Sequence, residues 1–143
     1  MSPDRPDPDA QTVGAMEAHA RSRLSVAREL FAAGHFEDAV SRAYYAAFHS
    51  ATLLFYCMGR VFSSHAQLVG AFNKELVLPG ILPVELARSL RDLFELRQAA
   101  DYDVHNTIEG SEADSALNLA EAFVNQVLDH ARSTYPGLFN PAE

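Results

Sequence analysis

The stretch AVSRAYYAAFHSATLLFY, residues 39–56, decides the fold of this 143-residue chain. Its apolar and small side chains occupy nearly every phase of a helix, so no face of the helix is polar along its whole length. A helix that is apolar on all sides belongs in the middle of a bundle, where other helices cover it. Small residues such as Ala43, Ala46 and Ala47 allow those neighbours to approach closely. We therefore predict a central helix that ends near Met58, before Gly59.

Amphipathic segments on both sides of this stretch predict the helices that cover it. In each segment hydrophobic residues recur at steps of three and four, which is typical of a helix with one buried face. The predicted segments are Thr12 to Ala33, His65 to about Val77, Pro83 to at least Tyr102, and Ser111 to about Tyr135. No run alternates as a β-strand does. The fold class predicted is all-α, an up-and-down bundle of about five helices.

Capping residues and prolines set the predicted boundaries. Ser63 or Ser64 can cap the third helix, and Ser111 with Asp114 resembles a capping box at the start of the fifth. The first eleven residues are rich in proline and aspartate, and Pro136 ends the last helix. We predict a disordered leader over 1–11, one helical domain over 12–135 and a C-terminal tail over 136–143.

Charge and composition restrict the function classes. The chain has 11 basic and 19 acidic residues, a net charge of −8, which disfavours broad electrostatic binding to nucleic acid or to membranes. Eight of the acidic residues and one basic residue, Arg97, lie within residues 92–121. The leader lacks the features of a signal peptide, and no segment is long and apolar enough to span a membrane. The single cysteine, Cys57, indicates a buried thiol without a disulfide. We therefore expect a cytoplasmic protein without a membrane anchor.

The fourth predicted helix ends in the most polar run of the domain, RQAADYDVH, residues 97–105. On a continuous helix Asp101 would lie about 40° and His105 about 80° around the axis from Arg97, with a rise of about 12 Å from Arg97 to His105. The three side chains would then share one broad face. A twofold axis would bring two such sets into one cleft.

Several short motifs together resemble the HEPN domain. They are RAYYAAFH at residues 42–49, Ser64-His65 after a glycine-containing turn, Phe72, and Arg97 followed by Asp101-Tyr102. The resemblance covers roughly residues 15–130 and is strongest to stand-alone bacterial and archaeal members. It implies an all-α bundle that forms a homodimer.

The resemblance also implies an activity and partners. Many HEPN proteins are metal-independent endoribonucleases with an arginine and a histidine near the dimer interface, separated by four to six residues. Carried over here, Arg97 would stabilise charge on the scissile RNA phosphate, and His105 would assist proton transfer. Similar small HEPN toxins are encoded beside a minimal nucleotidyltransferase antitoxin, which binds the toxin or adenylylates a tyrosine; Tyr102 is the candidate acceptor. No cofactor or metal is implied.

The chain departs from this pattern, and structural interpretations stay open for each residue. Seven residues separate Arg97 from His105, one more than the usual maximum, and some members with the Arg-x-x-x-Asp-Tyr signature lack nuclease activity. Arg97 and Asp101 can form an intrahelical ion pair, and His105 can act only as a helix cap. Tyr102 can serve in packing, with its hydroxyl bonded at the helix end.

The remaining polar and aromatic residues favour structural roles. His49 and His65 either line the same cleft or bond to the backbone in the core, and the ligand patterns of bundle metal sites are missing. Tyr44, Tyr45 and Phe48 indicate core or dimer interface rather than base stacking, and the arginines of the first, second and fourth helices are expected on solvated faces.

Two hypotheses follow. The first is a HEPN ribonuclease toxin, or a diverged relative, with Arg97 and His105 as catalytic residues. The second is a non-catalytic HEPN module that binds a nucleotidyltransferase partner or a nucleotide.

Overall fold

A computed structural model of the chain describes residues 7–102, 105 and 107–139. Within these residues the structure has six α-helices, a π-helical turn and no β-strand. The helices are α1 (Ala10–Ala32), α2 (Phe36–Cys57), α3 (His65–Ala71), α4 (Val84–Tyr102), α5 (Gly110–Thr134) and α6 (Pro136–Phe139), and the π-helical turn (Phe72–Val77) continues α3. The predicted all-α fold is confirmed, with one short helix more than the five expected.

Helix α2 is the centre of the bundle, as its composition predicts. It packs against α1, α4 and α5, and twelve of its residues are buried. Ala43, Ala46 and Ala47 have no exposed surface, so three helices approach the α2 backbone closely. The largest buried side chains around it include Tyr44, Phe55, Phe72, Phe123 and Leu90.

The ends of α1 follow from its sequence. Asp9 is the N-cap: its carboxylate accepts hydrogen bonds from the Thr12 amide at 2.8 Å and the Thr12 hydroxyl at 2.7 Å. The helix therefore begins at Ala10, two residues before the predicted start. Gly34 has a φ of +85°, which favours glycine, and it ends the helix so that α2 can return antiparallel.

Two other helix starts test the predicted caps. Ser64 caps α3 by accepting a bond from the Gln67 amide at 3.2 Å, as predicted. The capping box of α5 uses Glu109 and Glu112 instead of Ser111 and Asp114, so that prediction is wrong by two residues. Both carboxylates reach the backbone amides that the start of the helix leaves unpaired, and α5 therefore begins earlier.

The C-terminal segment and the π-helical turn complete the fold. Pro136 follows the end of α5, as predicted, but residues 136–139 form one more helical turn where a tail was expected. Arg60, just after α2, forms an ion pair with Glu75 in the π-helical turn. Residues 1–6 and 140–143 of the predicted leader and tail lie outside the described residues. None of the described helices is both long and apolar enough to cross a lipid bilayer.

Candidate functional site

Arg97 is held in place by residues of α2 and α4. Its side chain is only 14% exposed, and its Nη2 atom donates a hydrogen bond to the Tyr45 hydroxyl at 2.9 Å. Its guanidinium carbon lies 5.5 Å from the centre of the Tyr44 ring and 5.2 Å from that of Tyr45, within the range of cation–π attraction. A positive charge is thus fixed against two aromatic rings.

Asp101 forms the ion pair that the four-residue spacing predicts. The Arg97 Nε atom lies 3.0 Å from Asp101 Oδ2, but Nε is buried and makes no hydrogen bond with any of the described residues. The distance is short enough for a hydrogen bond, but the N–H does not point at the carboxylate oxygen. The contact is therefore an electrostatic one. Asp101 therefore offsets part of the positive charge of Arg97.

His65 is oriented by a tyrosine of the central helix. The buried Tyr44 places its hydroxyl 3.2 Å from His65 Nδ1, and the imidazole lies over Phe48 with 4.0 Å between ring centres. Burial raises the pKa of Tyr44 to about 12 against the opposing effect of Arg97, so the hydroxyl keeps its proton at neutral pH. When Tyr44 donates this bond, the proton of a neutral His65 lies on Nε2.

The imidazole of His65 favours its neutral form. Burial, and to a smaller extent the charge of Arg97, lower the pKa of His65 below its ordinary value. A neutral imidazole can accept a proton at neutral pH, which is the property that a general base needs.

A second imidazole pair lies between α1 and α2. The rings of His19 and His49 meet edge to face with 4.5 Å between their centres, and His49 stacks on Tyr45 at 6.1 Å. Burial, and to a smaller extent the charges of His19, Arg23 and His65, lower the pKa of His49 to about 4. These neighbouring charges are all basic.

These contacts form one continuous surface, which we call the arginine–histidine strip: His19, His49, Tyr45, His65 and Arg97. It joins residues of four helices, because the Tyr45 ring lies 6.1 Å from both His49 and His65 and its hydroxyl binds Arg97. In a chain of net charge −8 this strip combines the guanidinium of Arg97 with imidazole and phenol rings. Bases can stack on such rings, and phosphates are attracted by such cations.

Other clefts and arginines have a different character. A cleft of about 370 Å³ between α4 and α5 is lined by Asp92 and Glu112 among other residues, and these carboxylates disfavour phosphate. Arg28 binds Asn118 and Glu121 of α5, so it contributes to packing of the helices. Within the described part of the chain no three potential ligands among His, Cys, Asp and Glu come together as a metal site.

The structure separates His105 from the helical face on which the sequence predicts it. Helix α4 ends at Tyr102, and His105 is an exposed residue in the following turn, so the helical phase from Arg97 does not apply to it. Tyr102 is 73% exposed, so it is not packed against the described residues of its own chain. The core role expected for Tyr44 is confirmed, because its side chain is fully buried.

The sequence reasoning overlooked two residues of α1. His19 and Arg23 are four residues apart, and an imidazole and a guanidinium on the side of α1 that meets α2 were the available signal. His49 and His65 were predicted either to line the cleft or to lie in the core, and the structure brings both to the arginine–histidine strip.

Comparison with known proteins supports the resemblance that the motifs indicate. A sequence profile of the HEPN domain matches residues 17–130. A UPF0332 protein of Thermotoga maritima is 32% identical over 76% of this chain and 82% of the relative. Two proteins of Methanocaldococcus jannaschii, named "Putative toxin MJ0605" and "Putative toxin MJ0142", are also similar. The first is 35% identical over 76% of this chain and 80% of the relative. The second is 29% identical over 75% of this chain and 73% of the relative.

The matched region runs from α1 to α5 and contains every residue of the arginine–histidine strip. It agrees closely with the range over which the short motifs resemble the family. This chain belongs to the HEPN domain family.

Proposed function

We propose that this protein is a toxin-type, metal-independent endoribonuclease that acts as a homodimer in the cytoplasm. The observation that carries the proposal is the fixed guanidinium of Arg97, which lies beside neutral imidazoles on an aromatic surface. Two relatives whose names call them putative toxins support the toxin role. A cation and an imidazole are the groups that RNA cleavage without a metal requires.

The proposed reaction uses the ribose 2′-hydroxyl as nucleophile. The two His105 side chains of the dimer share the proton transfer: one takes the proton of this hydroxyl and the other donates one to the leaving 5′ oxygen, while the 2′ oxygen attacks phosphorus and the bond from phosphorus to the 5′ oxygen breaks. The products are a 2′,3′-cyclic phosphate and a free 5′-hydroxyl. Arg97 stabilises the negative charge that increases on the phosphate oxygens as the new bond forms.

A second copy of the chain completes this site. His105 is exposed beyond the end of α4, so a twofold axis near that end would bring two arginines and two histidines into one cleft. A nucleotidyltransferase antitoxin would control the activity by binding at the same end. Both partners are parts of the proposal.

The test is cleavage of labelled structured and unstructured RNA in excess EDTA. Wild type is compared with Arg97→Ala, His105→Ala and His65→Gln, each checked for helical content and oligomeric state. Arg91→Ala is the matched control, because Arg91 is an exposed arginine of the same helix. Expected are a loss of at least a hundredfold for Arg97→Ala and His105→Ala and no change for Arg91→Ala.

Each outcome has a defined meaning. If His65→Gln loses cleavage and His105→Ala does not, proton transfer is assigned to His65, which Tyr44 orients. This result would refute the role proposed for His105. No cleavage by wild type, or equal cleavage by every variant, would refute the ribonuclease.

The second candidate is a non-catalytic module that a nucleotidyltransferase modifies. It is favoured by the exposure of Tyr102 at the end of α4 and by the burial of Arg97. With purified nucleotidyltransferase and labelled ATP, wild type should gain one adenylyl group and Tyr102→Phe none. Tyr56→Phe is the matched control, and equal labelling of all three proteins would refute Tyr102 as the acceptor.

A further inference from the structure

A cleft of about 290 Å³ lies between α1 and α2 at the far end of the arginine–histidine strip from Arg97. It is lined by Thr12, Ala15, Met16, His19 and His49. The two imidazoles, whose ring centres are 4.5 Å apart, add hydrogen-bonding groups to a largely apolar lining. The proposed cleavage chemistry assigns no role to this pair.

The charges around the cleft favour an anion. Arg23 follows His19 by one turn of α1, and His19, Arg23 and His65 are the neighbouring charges that act on the pKa of His49. Tyr45 and Phe48 of α2 also contact the His49 ring.

Acidic groups lie near both ends of the lining segment of α1 but are engaged elsewhere. The Asp9 carboxylate binds the amide and hydroxyl of Thr12 and the hydroxyl of Tyr56. Glu17 forms ion pairs with Arg21 and Arg132. Asp101 pairs with Arg97 at the other end of the strip. The end of the cleft near Arg23 is therefore its basic end.

We propose that this cleft binds a phosphate group of the RNA strand whose scissile phosphate lies at Arg97, with His19 and His49 as hydrogen-bond donors and Arg23 as counter-charge. The choice of RNA rests on the proposed function, whereas the phosphate chemistry rests on the cleft alone. Two short contacts connect the sites: 6.1 Å between the rings of His49 and Tyr45, and 2.9 Å from the Tyr45 hydroxyl to Arg97.

Binding is accompanied by proton uptake. In the free protein His49 is neutral at pH 6, because burial and its basic neighbours lower its pKa to about 4. A bound phosphate favours the charged imidazole and so raises this pKa in the complex. The contribution of His49 to affinity is therefore present at low pH and is lost as the pH rises through the pKa of the bound form.

The experiment measures binding apart from cleavage. A fluorescein-labelled 2′-O-methyl RNA, which lacks the nucleophilic hydroxyl, is titrated with wild type, His49→Gln, His19→Gln and Arg23→Gln between pH 5.5 and 8. His35→Gln is the matched control, because His35 is an exposed histidine about 20 Å from His49 along α2. His19 is also exposed, so its variant tests the cleft even if His49→Gln does not fold.

At pH 6 the dissociation constant should rise about tenfold for His49→Gln and severalfold for His19→Gln, with less than a twofold change for His35→Gln. Arg23→Gln should make the slope of log affinity against log salt concentration less steep, by the amount that one phosphate contact contributes. Calorimetry in buffers of different ionisation enthalpy should show proton uptake by wild type that His49→Gln lacks. Affinities unchanged by His49→Gln and His19→Gln would overturn the proposal.

Competition identifies the source of the phosphate. If inorganic phosphate or AMP displaces the RNA at concentrations near the RNA's own dissociation constant, the cleft is a small-anion site and the assignment to RNA is wrong. The proposal and the proposed function can fail separately. Weaker binding by His49→Gln together with no cleavage by wild type would support the phosphate site and refute the ribonuclease. Unchanged binding by His49→Gln together with cleavage by wild type would refute the phosphate site and support the ribonuclease.

Discussion

Replacement of Arg97 by alanine should destabilise the protein as well as affect its chemistry. The substitution removes a hydrogen bond from a charged donor to the Tyr45 hydroxyl, the cation–π contacts with two tyrosines and the ion pair with Asp101. The hydrogen bond contributes about 1.5–3 kcal/mol, the cation–π contacts about 0.5–2 kcal/mol and the ion pair a few tenths of a kcal/mol. These contributions are not additive. We expect a loss of about 2–3 kcal/mol.

A double-mutant cycle with Tyr45→Phe isolates the hydrogen bond. Phenylalanine keeps an aromatic ring under the guanidinium and removes only the hydroxyl, so the coupling energy between the two positions should be about 1–2 kcal/mol. Urea unfolding followed by circular dichroism gives the four free energies. In thermal unfolding, Arg97→Ala should lower Tm by about 8–12 °C, since about 4 °C corresponds to 1 kcal/mol at this chain length.

The matched control is Arg91→Ala, an exposed arginine on the same helix, for which we expect a change within about 0.5 kcal/mol. If Arg97→Ala is as harmless as this control, or if the cycle shows no coupling to Tyr45, the guanidinium is not anchored as described. The description of the arginine–histidine strip would then be wrong.

Three further predictions concern stability and reactivity. Phe123→Ala should cost about 3–5 kcal/mol in urea unfolding, because the ring is fully buried and lies 5.3 Å from that of Phe72; a loss below 1 kcal/mol would contradict this packing. Burial raises the pKa of the Cys57 thiol to about 11, so disulfide reagents should react at pH 8 only as fast as the chain opens, and immediate reaction would refute the burial. The pKa of His49 is about 4 in the folded chain and near its ordinary value of 6.5 in the unfolded chain. The free energy of unfolding should therefore fall as the pH drops from 6.5 to 4, and it should fall less steeply in His49→Gln.

The sequence was sufficient to predict the bundle because one element dominates it. A helix that is apolar on every side, as α2 is, has only one environment available, and its neighbours carry clear amphipathic patterns. The errors lie at helix ends, where short polar side chains compete to cap the same backbone amides. Glu109 and Glu112 form the capping box of α5 at a place where Ser111 and Asp114 fit the motif equally well.

The candidate site was predictable only in part, because its members come from four helices. Helical spacing correctly predicts the pair of Arg97 and Asp101, which belongs to one helix. It carries no information on contacts between helices, such as those of His19 with His49 and of Arg97 with Tyr45. Such contacts depend on the relative rotation of the helices, which core packing sets and a single sequence does not reveal.

The seven-residue separation of Arg97 and His105 has a different meaning once the end of α4 is known. On a continuous helix, in which each residue turns a side chain by about 100°, this separation would place His105 about 80° around the axis from Arg97. Helix α4 ends at Tyr102, before His105, so this angle does not fix the position of His105. The longer spacing is therefore no argument against a shared site, whereas the anchoring of Arg97 to Tyr45 is a real constraint. Any phosphate that Arg97 binds must come to the arginine–histidine strip, and the position of His105 in the proposed dimer would then decide whether it is cleaved there.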